Sequence, residues 1–312
     1  MRIVVTGRSG QVARALAERA AGSDVEIVTL ARPDVDLTDP DSVAIAIHGA
    51  APDAIISAAA WTAVDQAEAE PAAAMRVNGT APGRIADAAR DLGVPLVHLS
   101  TDYVFDGTKA GAYVETDRPG PLQVYGATKL EGERRIAASG ACHAILRTSW
   151  VYGPTGSNFV LTMLRAAEAR PVLRVVADQS GAPTSALDIA ETALAVARRL
   201  AERHGDPASQ GVFHMTAAGE ATWADFAEAI FAGARARGLP AAEVERITTA
   251  EYPRPAARPA NSRLHCERLG AAYGLRLPHW RVSLESVLDR IAAERRKMQG
   301  VQGAAVEGDG RT

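Results

Sequence analysis

An α/β fold, a doubly wound parallel sheet with a smaller C-terminal α/β lobe, follows from three features of the 312-residue sequence. The chain opens on a short β-branched run, Ile3-Val4-Val5, then a glycine turn from Gly7 to Gly10, then the helical spacing of Val12, Leu16 and Ala20. After it, short apolar runs of the kind buried on both faces of a parallel sheet alternate with helical patterns as far as Arg203. Beyond Gln210 that alternation loosens, and Pro253, Pro255 and Pro259 punctuate an extended stretch.

In chain order, Val25–Leu30 is the second strand, ending at Ala31-Arg32, and Asp36-Leu37-Thr38-Asp39 leads into a helix capped near Asp39 or Asp41. Asp53–Ala60 is a third strand running into small residues, and Gly79–Leu92 is a helix preceded by Asn78. The fourth strand ends at Leu99, so Ser100-Thr101-Asp102 lies at a carboxyl edge, where open α/β sheets bind ligands. Tyr103–Pro121 reads as a functional loop, and the helix holding Tyr125 runs to about Ala138. His143–Thr148 and Leu173–Val176 are strands, Asn158–Ala169 and Ala186–Arg203 helices. Gly211–Met215 is a strand, and helices follow from Thr222 to Ala236 and from Ser283 to Lys297. The domains therefore interleave: 1–157 with part of 184–210 form mainly a Rossmann-type dinucleotide domain, and 158–183 with 211–297 mainly a substrate-binding lobe. Residues 298–312 lack apolar pattern and read as a disordered tail.

Composition excludes several classes. A formal charge of −3 provides no basic field for a nucleic acid polymer or an anionic membrane, and no run approaches the ~20 apolar residues of a membrane span. The first strand begins at once, with no room for a signal peptide, and the only two cysteines, Cys142 and Cys266, lie far apart without metal-ligand spacing. The expectation is a cytoplasmic protein with reduced thiols and no metal.

The glycine turn between strand and helix is a phosphate cradle. Gly7, Ser9, Gly10, Gln11 and Val12 bring backbone close to a pyrophosphate, and the helix N-terminus offers N–H donors and positive dipole. Only two glycines are present, Ala13 standing where a third would be. Ala58, Ala59, Ala60 and Thr62, at the end of the third strand, let a cofactor lie against backbone. Where an acid would hold a ribose diol, Arg32 suits a 2′-phosphate, pointing to NADPH, with NADH as a second possibility. Asp36 and Leu37 are placed to meet the adenine, Asp36 alternatively to shape a turn. Tyr125 and Lys129, four residues apart, share one helix face. A phenol titrates near pH ~10, and a nearby ammonium lowers that value towards the range of a general acid.

In this order T-G-x-x-G-Q, the small-residue strand end, S-T-D-Y-V-F and Y-G-A-T-K resemble the extended short-chain dehydrogenase/reductases. Within them the chain is similar to the ketoreductases of dTDP-linked deoxysugars. That narrower likeness rests on Ala58–Asp65, Arg147–Tyr152, Asp178–Thr184 and Arg258–Leu264. The resemblance implies NAD(P)H-dependent reduction of a dTDP-4-keto sugar by a monomer or homodimer. Tyr125 would protonate the C4 oxygen, Lys129 would hold the nicotinamide ribose and depress the phenol, and Thr101 would hydrogen-bond the substrate oxygen. Asp102, Tyr103 and Trp150 would surround the sugar. Asn261 and Arg263 would lie near the diphosphate, unless Arg263 pairs with a carboxylate of the C-terminal lobe. Some relatives bridge a dimer through Mg²⁺ held by glutamates, but Arg14-Ala15 stands at that point of the first helix. Three rivals stay open: a reductase of another dTDP-deoxysugar, an epimerase or dehydratase with retained NAD, and a non-catalytic nucleotide-binding regulatory subunit.

Overall fold

A computed structural model describes residues 1–203 and 205–308. Six parallel strands form the main sheet: β1 (Arg2–Thr6), β2 (Glu26–Leu30), β3 (Ala54–Ser57), β4 (Leu96–Thr101), β5 (His143–Thr148) and, after β6 (Val172–Val176) in the small lobe, β7 (Gly211–His214). Their order is β2-β1-β3-β4-β5-β7, so the chain reverses direction across the sheet between β1 and β3. Ligands in such sheets sit at that reversal, outside the carboxyl ends of the strands.

Both faces of the sheet are covered, as the uninterrupted apolar strands require. Ile3, Val5, Ile56, Val97 and Leu146 face a core shared with α1 (Gln11–Ala20) and, further along the chain, the Ala186–Glu202 helix. Val4, Ile55, Leu96 and Ile145 point the opposite way, towards α2 (Pro40–Ala50), α3 (Ala81–Leu92) and α4 (Val124–Ala138). The alternation Ile3-Val4-Val5 thus feeds two cores, the period-2 geometry of a strand buried on both sides. The longer helices that follow are α5 (Phe159–Ala167), α6 (Ala186–Glu202), α7 (Trp223–Arg235) and α8 (Trp280–Gly308), with β6 pairing in parallel with β8 (Glu243–Ile247).

Several expectations change. The Gly211–His214 strand, placed with the C-terminal lobe, instead closes the main sheet against β5. Strand β8 is absent from the sequence reading because it is an edge strand of mostly exposed Glu and Arg with only Ile247 fully buried. Helix α3 is approached through a π-helical turn at Arg76–Thr80 that buries Asn78, where the pattern had the helix start at Gly79. The last helix begins at Trp280 and runs through Gly308, over much of the expected tail; residues 309–312 lie outside the described residues. No helix among the described residues is long and apolar enough to cross a membrane.

Candidate active site

The site is assembled along the carboxyl edge of β1, β3 and β4. Gly7 leaves β1 at φ +97°, and a Cβ there would lie 3.2 Å from that of Ala59. Glycine therefore allows the turn and the close approach of the two strand ends. The Thr6 hydroxyl accepts the N–H groups of Ala58 (3.1 Å) and Ala59 (3.2 Å), fixing the small-residue segment beside the cradle. Gly10 caps α1 without a side-chain bond and has open space where a Cβ would be, so the first-turn N–H groups remain available to an anion. The Gln11 side chain accepts from Asn158 (2.9 Å) and donates to the Ser157 carbonyl (3.3 Å). Ser9 and Thr62 are exposed, and Val12 and Ala60 partly so.

Arg32 is exposed beyond the end of β2. Arg8, which the sequence reading passed over although it lies inside the glycine turn, reaches the same corner. It donates to Thr29 (3.3 Å) and pairs with Asp34 (3.3 Å). Asp36 takes the turn-shaping alternative, its carboxylate accepting the Thr38 N–H at 2.9 Å, which holds it below the usual carboxylate range. Leu37 packs against the α2 and α3 core.

Thr101 ends β4 as a buried residue. Its hydroxyl donates to Asp102 (3.0 Å) and accepts the Tyr103 N–H (3.2 Å). Tyr103 meets Tyr125 edge-on, ring centroids 5.9 Å apart. Burial pushes the Tyr125 phenol up to about 12; a hydrogen bond with Thr101 pulls it down and the Asp102 charge adds to the rise. The expected depression by Lys129 is not present. The ammonium is turned towards β4, donating to the Leu99 carbonyl (2.6 Å) and lying 3.2 Å from His98 Nε2. Burial pulls Lys129 down from 10.5 to about 8. The i, i+4 spacing put both groups on one face but could not reveal which strand atoms the lysine would find.

What keeps α4 against this edge is Asn78, buried in the π-turn. It accepts the Trp61 N–H (2.8 Å) and donates to the Trp61 carbonyl (3.1 Å) and to Thr128 (3.2 Å). One amide therefore ties the small-residue loop to the helix of Tyr125 and Lys129. Its sequence signal was only an isolated polar residue before a helix. Gly126 brings the helix start so close that a Cβ would fall on the Tyr103 carbonyl and 3.0 Å from Pro121 Cβ. Gly126→Ala is expected to cost about 3 kcal/mol, since rigid backbone must yield. Thermal unfolding measured beside wild type checks this; an unchanged Tm would contradict it.

Trp150 leaves β5 at φ +48°, a strained position for a bulky residue. It stacks on Trp223 with centroids 3.6 Å apart, and Gly181 makes room, since a Cβ there would lie 2.6 Å from the Trp150 ring. Asn261 donates to the carbonyls of Lys109 (2.7 Å) and Gly111 (2.8 Å), anchoring the 103–121 loop. Arg263 takes the second of its two expected roles: it pairs with Glu220 of the C-terminal lobe (3.1 Å) and bonds the Ala110 carbonyl and Asn261. Arg258 of the same extended stretch is instead the arginine close to Tyr103, pairing with Asp65 at 3.0 Å. Asp102 Oδ2, both polar atoms of the Gln123 amide and Thr148 Oγ1 are buried without a protein partner around this edge. Such groups carry a desolvation cost unless a ligand pairs with them.

The sequence of residues 1–293 matches the family model described as the RmlD substrate binding domain. The dTDP-4-dehydrorhamnose reductase of Sinorhizobium fredii is 51% identical, with 94% of this chain and 99% of that protein covered. The dTDP-4-dehydrorhamnose reductase of Bacillus anthracis, solved in complex with NADP, is 33% identical with a TM-score of 0.84, covering 92% of this chain and 98% of that one. A probable dTDP-4,6-dihydroxy-2-methyloxan-3-one 4-ketoreductase of Streptomyces antibioticus is 38% identical over 94% of this chain and 97% of its own. The chain belongs to the dTDP-4-dehydrorhamnose reductase family of extended short-chain dehydrogenase/reductases.

Proposed function

We propose that the chain reduces the C4 ketone of dTDP-4-dehydro-β-L-rhamnose to dTDP-β-L-rhamnose with NADPH. The observation that carries this reading is Thr101, Tyr125 and Lys129 meeting at the end of β4, beside the Gly7–Gly10 cradle, in a chain of this family. NADPH, when bound, supplies the hydride. The open Gly10 position and the uncapped first turn of α1 suit its pyrophosphate, and the Ala58–Ala60 segment suits the approach of its nicotinamide end. Lys129 would swing from the Leu99 carbonyl to the nicotinamide ribose.

Tyr125 then gives its phenolic proton to O4 as the carbonyl electron pair collects there, and the phenolate recovers a proton from solvent. Thr101 donates to the same oxygen, a bond worth most when negative charge is developing. Asp102, Tyr103, Trp150 and Arg258 line the sugar and diphosphate side. A cytoplasmic monomer or homodimer accords with this role.

Arg8 and Arg32 would share the 2′-phosphate. Arg32→Ala, and separately Arg8→Ala, is expected to raise KM for NADPH roughly tenfold, the loss of about 1.4 kcal/mol of charged contact, leaving KM for NADH unchanged. Equal effects on both cofactors would remove the assignment.

A second reading, a 4-ketoreductase of another dTDP-deoxysugar, is favoured by the 38% identity to the Streptomyces protein. NADPH oxidation with a panel of dTDP-4-keto sugars separates the two. Turnover should be fastest with the dehydrorhamnose, and turnover only with another sugar would establish the alternative. Tightly retained NAD without consumption of NADPH would point to an epimerase or dehydratase.

A further inference from the structure

The Trp150 indole sits in a slot built around it. Gly181 packs on one face: a Cβ there would lie 2.6 Å from Cε2 and 2.8 Å from both Nε1 and Cζ2. Those distances put it above the ring, since a point beside the ring in its plane would come nearer to Nε1 and Cζ2 than to Cε2. Trp223 covers the other face, its ring 3.6 Å away between centroids and tilted by only 8°. The two cannot share a face, because an added Cβ at Gly181 would then meet Trp223 before Trp150. Both walls belong to one piece of backbone. Ser180–Gly181 pairs antiparallel with Ala221–Thr222, Gly181 opposite Ala221, and Trp223 is the next residue, the first of α7. A capping box locks that helix start: Thr222 Oγ1 accepts the Asp225 N–H (3.1 Å) and the Asp225 carboxylate accepts the Thr222 N–H (2.8 Å). Arg246 of β8 pairs with Asp225 at 2.9 Å, and Phe159 of α5 backs the Trp223 ring at 4.7 Å.

Packing alone favours neither feature of this slot. Aromatic pairs prefer offset or edge-on contact to a nearly eclipsed sandwich, and Trp150 also holds the strained φ of +48°. What stays open is an edge of Trp150, which is partly exposed. Of the four tryptophans, Trp61 and Trp280 give their N–H groups to the carbonyls of Ala63 (3.2 Å) and Glu220 (3.3 Å). The indole N–H groups of Trp150 and Trp223 have no acceptor among the described residues. Trp150 stands two residues beyond Thr148, the register partner of Thr101. Resting on the functional reading above, we infer that Trp223 is a positioning residue for the sugar. Stacked on Trp150, it clamps that indole against Gly181 so that an edge with a free N–H, and not a ring face, meets the substrate. The chemistry so recognised is a hydrogen-bond acceptor, a hydroxyl or ring oxygen of the sugar.

Trp223→Leu and Trp223→Met keep apolar bulk against Phe159 but offer no flat face, and Trp223→Phe restores one. Calorimetry with NADP⁺ bound compares two probes, dTDP-β-L-rhamnose and dTDP. The Leu and Met variants should bind the dTDP-sugar about tenfold more weakly, the worth of one hydrogen bond, and dTDP as tightly as wild type. Trp223→Phe should recover most of the loss. In a Trp150→Phe background the Leu change should cost nothing further, since its partner is already gone. An unchanged affinity for the dTDP-sugar, equal weakening of both probes, or the same loss in the Trp150→Phe background would overturn the inference and leave Trp223 a packing residue. A second readout needs no ligand. The ¹⁵N-indole order parameter of Trp150 should be about 0.85 in wild type and Trp223→Phe and fall below about 0.6 in Trp223→Leu. An indole equally rigid in all three would also overturn the clamp. Wild type binding dTDP-β-L-rhamnose no more tightly than dTDP would refute only the functional reading, and the indole spectrum then decides the clamp by itself.

Discussion

Tyr125→Phe is expected to lower kcat about a thousandfold, within the 10²–10⁴-fold typical of a lost general acid, while KM and NADPH binding stay near wild type. The phenol is a loaded donor: held up to about 12 by burial, it is protonated at any working pH. A developing alkoxide is far more basic than a phenolate, so the transfer remains downhill. Phenylalanine keeps the edge-on contact with Tyr103 and removes only the oxygen. The split between kcat and KM then isolates the proton from the packing. Steady-state and single-turnover NADPH oxidation measure it, and a variant within tenfold of wild type would end the role.

Asp102→Asn should stabilise the protein by an amount that grows from about pH 4 and is complete above about pH 7. Burial raises the Asp102 carboxyl from 3.8 to about 7 against the pull of the neighbouring Ser262 and Thr101 hydroxyls, the latter donating to Oδ1. A group raised on folding contributes stability that is complete below its unfolded pKa and lost as pH climbs through the folded value. At about 1.4 kcal/mol per tenfold change in acidity, the span between the two values is on the order of 4 kcal/mol above pH 7. Asparagine keeps the acceptor for Thr101 without the charge, so urea unfolding should show a gain of that order at pH 8 and almost none below about pH 4. Equal stabilities at pH 8 would contradict it.

Local chemistry was legible in the sequence, and register was not. Ile3-Val4-Val5, the Gly7 turn and Tyr125-x-x-x-Lys129 each encode their structure within a few residues, and the sheet confirms the fold they imply. Which arginine of Arg258–Arg263 faces the site depends on how that extended stretch aligns with Ser180, a pairing between residues 81 apart that no local pattern states. Arg263 pairs with Glu220, and Arg258 lies close to Tyr103. The lysine's partners were hidden for the same reason: His98 and Leu99 meet Lys129 only because α4 crosses β4. Glu133–Arg147 and the Asn78 brace are likewise contacts between distant elements, written as single polar letters in otherwise helical or apolar runs.

The central claim is tested most directly by following the hydride. The protein is incubated with dTDP-4-dehydro-β-L-rhamnose and NADPH deuterated at nicotinamide C4, and the product is examined by NMR. The account predicts dTDP-β-L-rhamnose carrying deuterium at the sugar's C4, formed one for one with oxidised cofactor. Recovery of unreduced keto sugar, or of a reduced sugar without deuterium at C4, would contradict it.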